Sequence, residues 1–258
     1  MSAATPTARV AVTAGAGGIG REIARAFDRE GARVAVCDAD PAAVAAATAD
    51  GLDAEVVDVA DGDALDRWLD GVLERFGGLD VLVNNAGIAG PTALVEDVDP
   101  ADWERCIAID LSSHFRASRR VIPAMKAAGA GSIINLSSTS GLVGCGMRAP
   151  YVAAKWAVIG LTKTLAIELG AHGVRANAIC PGSVDGERMR GVIDREASAR
   201  GLDRSVVEHE YIDGQSISRF VQPGEIADMC VFLASDAARM VTGQAIAVDG
   251  HTETFHLS

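Results

Sequence analysis

Three side chains between Ser138 and Lys155 could together carry out chemistry on a carbonyl group. Pro150 is predicted to be the first residue of a helix, because its missing N–H group leaves no intrahelical hydrogen bond unmade there. Tyr151 and Lys155 then lie one turn apart on the same face of that helix. A nearby ammonium favours the charged form of a phenol, so this pair predicts a tyrosine that exchanges protons.

The hydroxyl of Ser138 is predicted to lie beside this pair. It follows the apolar run 133–136, which predicts a buried strand, so the hydroxyl emerges at the carboxyl end of that strand. Ligands of open α/β sheets bind at this edge. A hydroxyl donor and a proton-exchanging phenol are what a carbonyl oxygen needs while its carbon accepts hydride. The rest of the chain must therefore bind a hydride carrier.

The elements that must position these groups follow from apolar runs that alternate with helical patterns. Six or seven strands with crossover helices predict an α/β fold, a doubly wound parallel sheet with helices on both faces, in a single domain over residues 1–258. Asp99-Pro100 is expected to cap a long helix that runs past Phe115. The predicted strands cover residues 9–13, 33–37, 54–59, 81–83, 133–136, 174–179 and 245–248.

The segment 182–222 interrupts this alternation. It is polar, charged and too long for a simple connection between a strand and a helix. Insertions of this kind often carry function on a rigid scaffold. We therefore expect residues 183–222 to form a substrate loop.

The composition argues against several other classes of function. The chain has 258 residues, of which 49% are hydrophobic, and its net charge of −12 disfavours nucleic acid or an anionic membrane surface as a partner. No apolar run reaches the roughly 18 residues of a membrane span, and residues 1–9 show no signal-peptide pattern. Five scattered cysteines without a CxxC pair indicate reduced thiols and no metal site, so we expect a cytoplasmic protein.

A glycine-rich turn over residues 13–20 separates the first predicted strand from a helix. Glycines let the backbone approach a pyrophosphate, and the free N–H groups and dipole of the helix hold its charge. A Gly-x-Gly-x-x-Gly match alone is weak evidence, but its position after the first strand strengthens it. The turn predicts a dinucleotide site, and the alternative is a tight turn without a ligand.

Asp38 follows the second predicted strand, about 20 residues after the glycine turn, where a carboxylate accepts hydrogen bonds from the adenine ribose. A 2′-phosphate would meet a like charge there, and neither the glycine turn nor Ala39 supplies a basic residue. We therefore predict NAD rather than NADP as the cofactor. Asp58-Val59 is a candidate adenine contact, and residues 84–87 place small side chains against the cofactor.

The chain as a whole resembles the short-chain dehydrogenase/reductase family over essentially its full length. The order and the spacing of the motifs both agree with the family. The motifs are the turn 13–20, Asp38, Asp58-Val59, residues 84–87, Ser138, the Tyr151-x-x-x-Lys155 pair and Pro181-Gly182.

The resemblance implies a Rossmann-type sheet and reversible, NAD(P)-dependent oxidation of alcohols to carbonyls. It makes Tyr151 the general acid/base, lets Lys155 bind the nicotinamide ribose and act on the tyrosine, and has Ser138 orient the substrate oxygen. It also implies a homo-oligomer, either a tetramer or a dimer. The predicted cofactor contacts are Gly15, Gly17, Gly18, Ile19, Gly20, Asp38, Asp58, Val59, Asn85, Ala86, Gly87, Tyr151, Lys155, Pro181, Gly182 and Val184.

The sequence departs from the family pattern at three places. Ala14 replaces the first glycine of the turn, which we expect to survive. Asp110 replaces the asparagine that helps to hold a water in a proton relay to the lysine. It is a fourth catalytic candidate that adds negative charge near Lys155, and the alternative is a buried aspartate with a structural bond. The threonine expected after Val184 is missing, so Ser183 or backbone groups are left to contact the carboxamide.

The substrate is the least constrained part of the prediction. Ser138, Ser140, Cys145 and Tyr151 are expected to line its pocket. The arginines of 183–222 most simply form a solvated helix face, although a single one could clamp a carboxylate or sulfonate.

We predict oxidation of a secondary alcohol to a ketone, with a sugar, polyol or cyclic alcohol as the substrate class. The alternatives are a reductase of 3-oxoacyl or steroid ketones, an epimerase or dehydratase of nucleotide sugars, and a non-catalytic NAD-binding regulatory protein.

Overall fold

Runs of β-branched and small apolar residues form a parallel sheet at the centre of the molecule. The computed structural model describes residues 7–252, so residues 1–6 of the segment used for the signal-peptide prediction lie outside it. Within that range the sheet has seven strands in the order β3-β2-β1-β4-β5-β6-β7, which confirms the doubly wound fold. The strands are β1 (Arg9–Thr13), β2 (Arg33–Asp38), β3 (Asp53–Val56), β4 (Val81–Asn84), β5 (Gly131–Leu136), β6 (Val174–Pro181) and β7 (Ala245–Val248).

Helices follow the strands and cover both faces of the sheet. Asp40, Asp61 and Asp99 each accept a hydrogen bond from a backbone N–H of the helix that follows, so the N-cap predicted at Asp99 is confirmed. No helix within residues 7–252 is both long and apolar enough to cross a membrane. The helices are α1 (Gly18–Arg29), α2 (Pro41–Ala49), α3 (Gly62–Phe76), α4 (Pro100–Ile107), α5 (Ser113–Ala128), α6 (Ala149–Leu169), α7 (Glu187–Arg200), α8 (Arg204–Asp213) and α9 (Pro223–Ala234).

Each face of the sheet buries its own apolar cluster. Because successive side chains of a strand point to opposite faces, Val10 and Val12 of β1 pack with α1 and α9, whereas Ala11 packs with α3 and α5. The clusters include fully buried Ile23 and Leu82, and burial of a side chain of this size contributes about 2 kcal/mol. This double coverage explains why the central strands β1 and β4 carry continuous apolar runs, over residues 10–12 and 81–83, rather than alternating apolar and polar residues.

One strand, β3, ends earlier than the sequence predicts, whereas β5 ends at the predicted residue, and both ends bear on the site. β3 stops at Val56, not at residue 59, because it is an edge strand whose only neighbour, β2, ends at Asp38 opposite Val56. Residues 57–59 therefore follow the strand rather than belong to it. β5 ends at Leu136, so Ser138 lies just beyond the strand in a short turn.

Two helices also differ in detail from the prediction. The long helix that begins at Pro100 is interrupted by a π-helical turn at Ala108–Ser112, which contains Asp110, before it continues as α5. Such π turns widen a helix locally and are frequent at functional sites. α6 begins at Ala149, so Pro150 is its second residue, still within the first turn where proline is tolerated.

The segment predicted as a substrate loop is largely helical. It contains α7 and α8, which pack through a small apolar cluster of Ile193, Ala197 and Val207. A short bridge between Val184 and Val221 closes its base. The interruption of the α/β alternation is confirmed, while its interior has more regular structure than polarity and length alone suggested.

His114 on α5 is fully buried beneath the carboxyl ends of the strands. Its Nε2 lies 3.0 Å from the carbonyl oxygen of Ala86, to which it can donate, and its Nδ1 has no hydrogen-bond partner. Burial, assisted by the charge of Lys155, lowers the pKa of His114 to about 3. The folded chain therefore keeps this imidazole neutral.

This buried imidazole predicts a loss of stability in mild acid. The unfolded chain binds a proton at His114 near pH 6.5, whereas the folded chain binds it only near pH 3, so stability falls as the pH drops below about 6.5. Between pH 7 and pH 5 this group removes about 2 kcal/mol. We expect His114→Gln to remove that part of the pH dependence, measured by urea unfolding at both pH values. Exposed His172 provides the control His172→Gln, and an unchanged dependence in His114→Gln would contradict the assignment.

Candidate active site

A cavity of about 710 Å³ opens along the carboxyl end of the sheet. It spans the point between β1 and β4 where the strand order reverses, which is where open α/β sheets bind their ligands. Most of the predicted site residues line it together. These are Gly17, Gly18, Ile19, Gly20, Asp38, Asn85, Gly87, Ser138, Ser140, Cys145, Tyr151, Lys155, Pro181, Gly182 and Val184.

The glycine turn forms one end of this cavity. Gly17 is the N-cap of α1, no side chain caps the helix, and its first turn carries no acidic residue, so its N–H groups are free to bind an anion. A Cβ atom at Gly17 or Gly18 would point into open space. At Gly20 it would lie 2.1 Å from the carbonyl oxygen of Ala14, so only glycine fits there. The turn is thus shaped for close approach by a ligand.

The turn forms although Ala14 replaces the usual glycine. Ala14 adopts a left-handed backbone conformation with φ 48°, which glycine takes without strain and alanine does not. The side-chain amide of Asn85 donates to the carbonyl oxygens of Thr13 and Ala14, at 3.1 and 2.9 Å. These bonds join the β4 loop to the turn and hold the strained residue. The expectation that the turn survives is confirmed.

Asp38 lines the end of the cavity where the adenosine part of the cofactor is predicted to bind. Its carboxylate accepts backbone hydrogen bonds from Ala16 at 3.3 Å and Asp40 at 3.2 Å, which orient it at the end of β2. Arg21 lines the same end, a feature that the sequence reasoning missed although this residue directly follows the glycine turn. Its guanidinium donates to Asp50 at 2.5 Å, so the carboxylate of the C-cap residue of α2 already pairs with this charge.

Five predicted site residues lie outside the cavity wall. Asp58 is exposed and accepts the backbone N–H of Ala60, at 2.9 Å, in the turn after β3. The other four are buried and do not line the cavity. They are Gly15, Val59, Ala86 and Asp110.

Lys155 lies at the end of the cavity that also holds Ser138 and Tyr151, which we call the chemical end. Its side chain is only 3% exposed, and Nζ donates to the carbonyl oxygen of Leu136 at 2.9 Å. Asp110 Oδ1 lies 3.7 Å from Nζ and is itself fully buried. The predicted placement of a negative charge beside Lys155 is confirmed. Since Nζ carries three N–H groups, at least one remains for a ligand in the cavity.

Asp110 is anchored on three sides. Oδ1 accepts the backbone N–H of Ile88 at 2.8 Å, and Oδ2 accepts the thiol of Cys106 at 3.0 Å. Burial and the charge of Asp110 raise the pKa of the Cys106 thiol, which keeps it protonated and able to donate. A Cβ on Gly87 would lie 2.5 Å from Oδ1, so the loop after β4 can approach this pair only through glycine.

Tyr151 stands on the wall with positive charges around its ring. The guanidinium carbons of Arg148 and Arg188 lie 4.9 and 5.9 Å from the ring centre, and Lys155 Nζ lies 5.7 Å from it. The hydroxyl of Ser138 accepts the backbone N–H of Ser140 at 3.1 Å, which leaves its own proton free to donate to a ligand. Within residues 7–252 no group of three or more His, Cys, Asp or Glu side chains is placed to hold a metal ion.

Comparison with known proteins agrees with this arrangement. A model of a protein family described as enoyl-(acyl carrier protein) reductase matches residues 13–251. The chain is 45% identical over 195 residues to trans-4-hydroxycyclohexanecarboxylate dehydrogenase of Sinomonas cyclohexanicum, and the match covers 75% of this chain and 68% of that protein. The chain belongs to the short-chain dehydrogenase/reductase family.

Solved structures of this family have the same fold. NAD⁺-bound xylitol dehydrogenase superposes with a TM-score of 0.89 at 30% identity, covering 94% of this chain and 97% of that one. A variant of actinorhodin polyketide ketoreductase with NADPH gives 0.90 at 33%, covering 95% and 96%. As a short-chain dehydrogenase/reductase, the protein is an oxidoreductase that interconverts alcohols and carbonyl compounds.

The buried pair of Lys155 and Asp110 predicts unequal effects on stability. Lys155→Met leaves the Asp110 carboxylate buried without its cation, which costs about 3 kcal/mol or more. Asp110→Asn costs less, because an amide oxygen can still accept the N–H of Ile88. We expect the double variant to be more stable than Lys155→Met alone, measured by urea unfolding in a double-mutant cycle.

A pair on the surface gives the control for this cycle. Arg120 and Asp70 form an exposed ion pair, so Asp70→Asn should change stability by less than about 0.5 kcal/mol. Effects of Lys155→Met and Asp110→Asn that simply add would show that the buried charges do not depend on each other.

Proposed function

We propose that the protein is an NAD-dependent oxidoreductase that interconverts a small cyclic or sugar-type secondary alcohol and its ketone. The observation that carries this proposal is the single cavity whose wall holds the uncapped glycine turn, Asp38, Ser138, Tyr151 and Lys155. Relatives support the substrate class, since one is a dehydrogenase of a hydroxycyclohexane acid and another a dehydrogenase of xylitol.

The residues present fit a nicotinamide dinucleotide. The free N–H groups at the start of α1 would hold the pyrophosphate, and Asp38 would accept the hydroxyls of the adenine ribose. The remaining N–H groups of Lys155 would bind the nicotinamide ribose. Residues 181–184 line the cavity, so their backbone would contact the carboxamide. When bound, the nicotinamide supplies or removes the hydride.

The chain's own residues then handle the proton. Ser138 donates its hydroxyl proton to the substrate oxygen and fixes its position. Tyr151 gives its phenol proton to that oxygen during reduction and takes it back during oxidation. Asp110 positions Lys155, because its carboxylate lies 3.7 Å from the ammonium and outside the cavity wall. Residues 183–222 form the cover over the substrate end, within one catalytic domain that spans residues 1–258.

The carboxylate of Asp38 supports NAD over NADP. It would repel a 2′-phosphate, and the nearby guanidinium of Arg21 is bound to Asp50. One similar structure holds NAD⁺ and another holds NADPH, so the fold alone does not set the choice between the two cofactors. Individual side chains, such as Asp38 here, would set it.

The proposal includes a homo-oligomer, tetramer or dimer, that acts in the cytoplasm. Apolar side chains on the outer faces of α4, α5 and α6 support association, because they would be buried by a second copy. They are Trp103, Phe115, Trp156 and Ile167. The mass of the purified protein, measured by light scattering, tests this, and a monomer would contradict it.

The decisive experiment is turnover of a panel of cyclic alcohols, polyols and sugars with NAD⁺, in the natural chain and in Tyr151→Phe. We expect Tyr151→Phe to lower kcat about a thousandfold while NAD⁺ binding, measured by calorimetry, stays within a few-fold. Tyr211→Phe removes the other tyrosine hydroxyl of the chain, which also lies on the wall, and is the matched control. Substantial activity in Tyr151→Phe would overturn the assigned proton donor.

Cofactor choice gives a separate prediction. Asp38→Ser removes the charge that repels a 2′-phosphate, so the ratio of kcat/KM for NAD⁺ to that for NADP⁺ should fall at least tenfold. Asp40→Ser, two residues further on, is the control for a lost charge outside the cavity wall. A ratio unaffected by Asp38→Ser would show that Asp38 does not select the cofactor.

A further inference from the structure

Two guanidinium groups in the substrate end of the cavity have no acidic partner. Arg148 and Arg188 both line the wall and both lie against the ring of Tyr151. Among the ion pairs of residues 7–252 neither arginine takes part in one. The chain carries a net charge of −12, so two cations without an acidic partner at the reaction centre are a local concentration of positive charge in an acidic protein.

Arg148 is held in this place by the backbone. It is the N-cap residue of α6, and Met147 before it has a left-handed backbone with φ 59°. Strained residues of this kind persist where the surrounding structure requires them, often at binding sites. The side chain turns back over Tyr151, and Nη2 donates to the carbonyl oxygen of Ala89 at 2.8 Å.

The burial of Arg148 leaves it short of partners. The residue is only 8% exposed, and its Nε–H is buried without any acceptor. A guanidinium has five N–H donors, and the bond to Ala89 uses one of them. A buried charge without a counter-charge is costly, and contact with the ring of Tyr151 offsets only part of that cost. A solvated helix face does not explain a side chain this deeply buried.

Arg188 approaches the same ring from the opposite element. It lies in the first turn of α7, and Nη1 donates to the carbonyl oxygen of Gly87 at 3.1 Å, so it connects the 183–222 segment to the loop after β4. None of the acidic residues near Arg188 forms an ion pair with it. Asp185 binds Arg190, Glu196 binds Arg200 and Tyr211, and Glu187 forms no ion pair with either cavity arginine.

We propose that Arg148 and Arg188 form an anion-binding clamp and that the substrate is a hydroxy acid, with a carboxylate held by the clamp and a secondary alcohol presented to Tyr151. The inference rests on the proposed function and adds the charge of the substrate to it. An oxyanion in the cavity would supply the missing counter-charge and would accept from guanidinium N–H groups that the bonds to Ala89 and Gly87 leave over. Arg–carboxylate hydrogen bonds are among the strongest and most directional in proteins. A neutral alcohol would leave both cations without a counter-charge.

The test compares an acid with a neutral molecule of the same shape. The probes are 4-hydroxycyclohexanecarboxylate and its primary carboxamide, together with 3-hydroxybutyrate and its amide. The quantity measured is the ratio of kcat/KM for acid to kcat/KM for amide with NAD⁺. We expect this ratio to exceed about tenfold in the natural chain and to fall about tenfold or more in Arg148→Gln and in Arg188→Gln.

A control variant and a second cavity variant keep the test decisive. Arg195→Gln is the control, because Arg195 is an exposed arginine of α7, the helix that carries Arg188. It lies outside the cavity wall, so this variant should leave the ratio unchanged. If Arg148→Gln fails to fold because the residue is buried, the exposed end of Arg188 still allows Arg188→Gln to decide. A ratio near one in the natural chain, or a ratio that neither cavity variant changes, overturns the clamp while the proposed function stands.

Failure of the reaction itself has a different signature. If no alcohol in the panel reduces NAD⁺, the proposed function fails. Binding of cyclohexanecarboxylate and of cyclohexanecarboxamide to the NAD⁺-loaded protein, measured by calorimetry, then still decides the clamp. Tighter binding of the carboxylate that is lost in Arg188→Gln supports it, and equal binding of the two compounds overturns it.

Discussion

The buried ammonium of Lys155 is the constraint on which the rest of the site depends. A charge that is almost fully withdrawn from water must be compensated, and the compensation comes from the carbonyl oxygen of Leu136 and the carboxylate of Asp110. The first belongs to the end of β5 and the second to a π-helical turn, while the lysine itself comes from α6. One cation therefore fixes three elements against each other at the carboxyl edge of the sheet.

A second set of buried polar contacts supports this edge from below. Asn84 of β4 donates to Asn135 of β5 at 2.8 Å, and Asn135 donates to Thr162 of α6 at 2.9 Å. These buried bonds join β4, β5 and α6 to one another, although Oδ1 of Asn84 has no hydrogen-bond partner. The side chain of Asn85 adds bonds that join the loop after β4 to the glycine turn. Together these hydrogen bonds hold the cofactor end and the chemical end of the cavity in a fixed position relative to each other.

Much of the fold and of the site could be predicted because it depends on local patterns. Apolar runs and caps such as Asp40 and Asp99 depend on hydrogen bonds and burial within a few residues, so their signals lie close together in the chain. The end of β3 could not be predicted, because it depends on where a neighbouring strand stops. The π turn at Asp110 could not be predicted either, since two of the three groups that hold that side chain, Ile88 and Lys155, come from elsewhere in the chain.

The sequence by itself determined the α/β architecture, the position of the glycine turn and the helical spacing of Tyr151 and Lys155, because each follows from periodicity along the backbone. Only the tertiary structure decided that Arg148 and Arg188 meet at the ring of Tyr151 without an acidic partner. Which charges neutralise each other is a property of distances through space. The two arginines come from elements far apart in the chain, and their unpaired state depends on where every nearby acid has been placed.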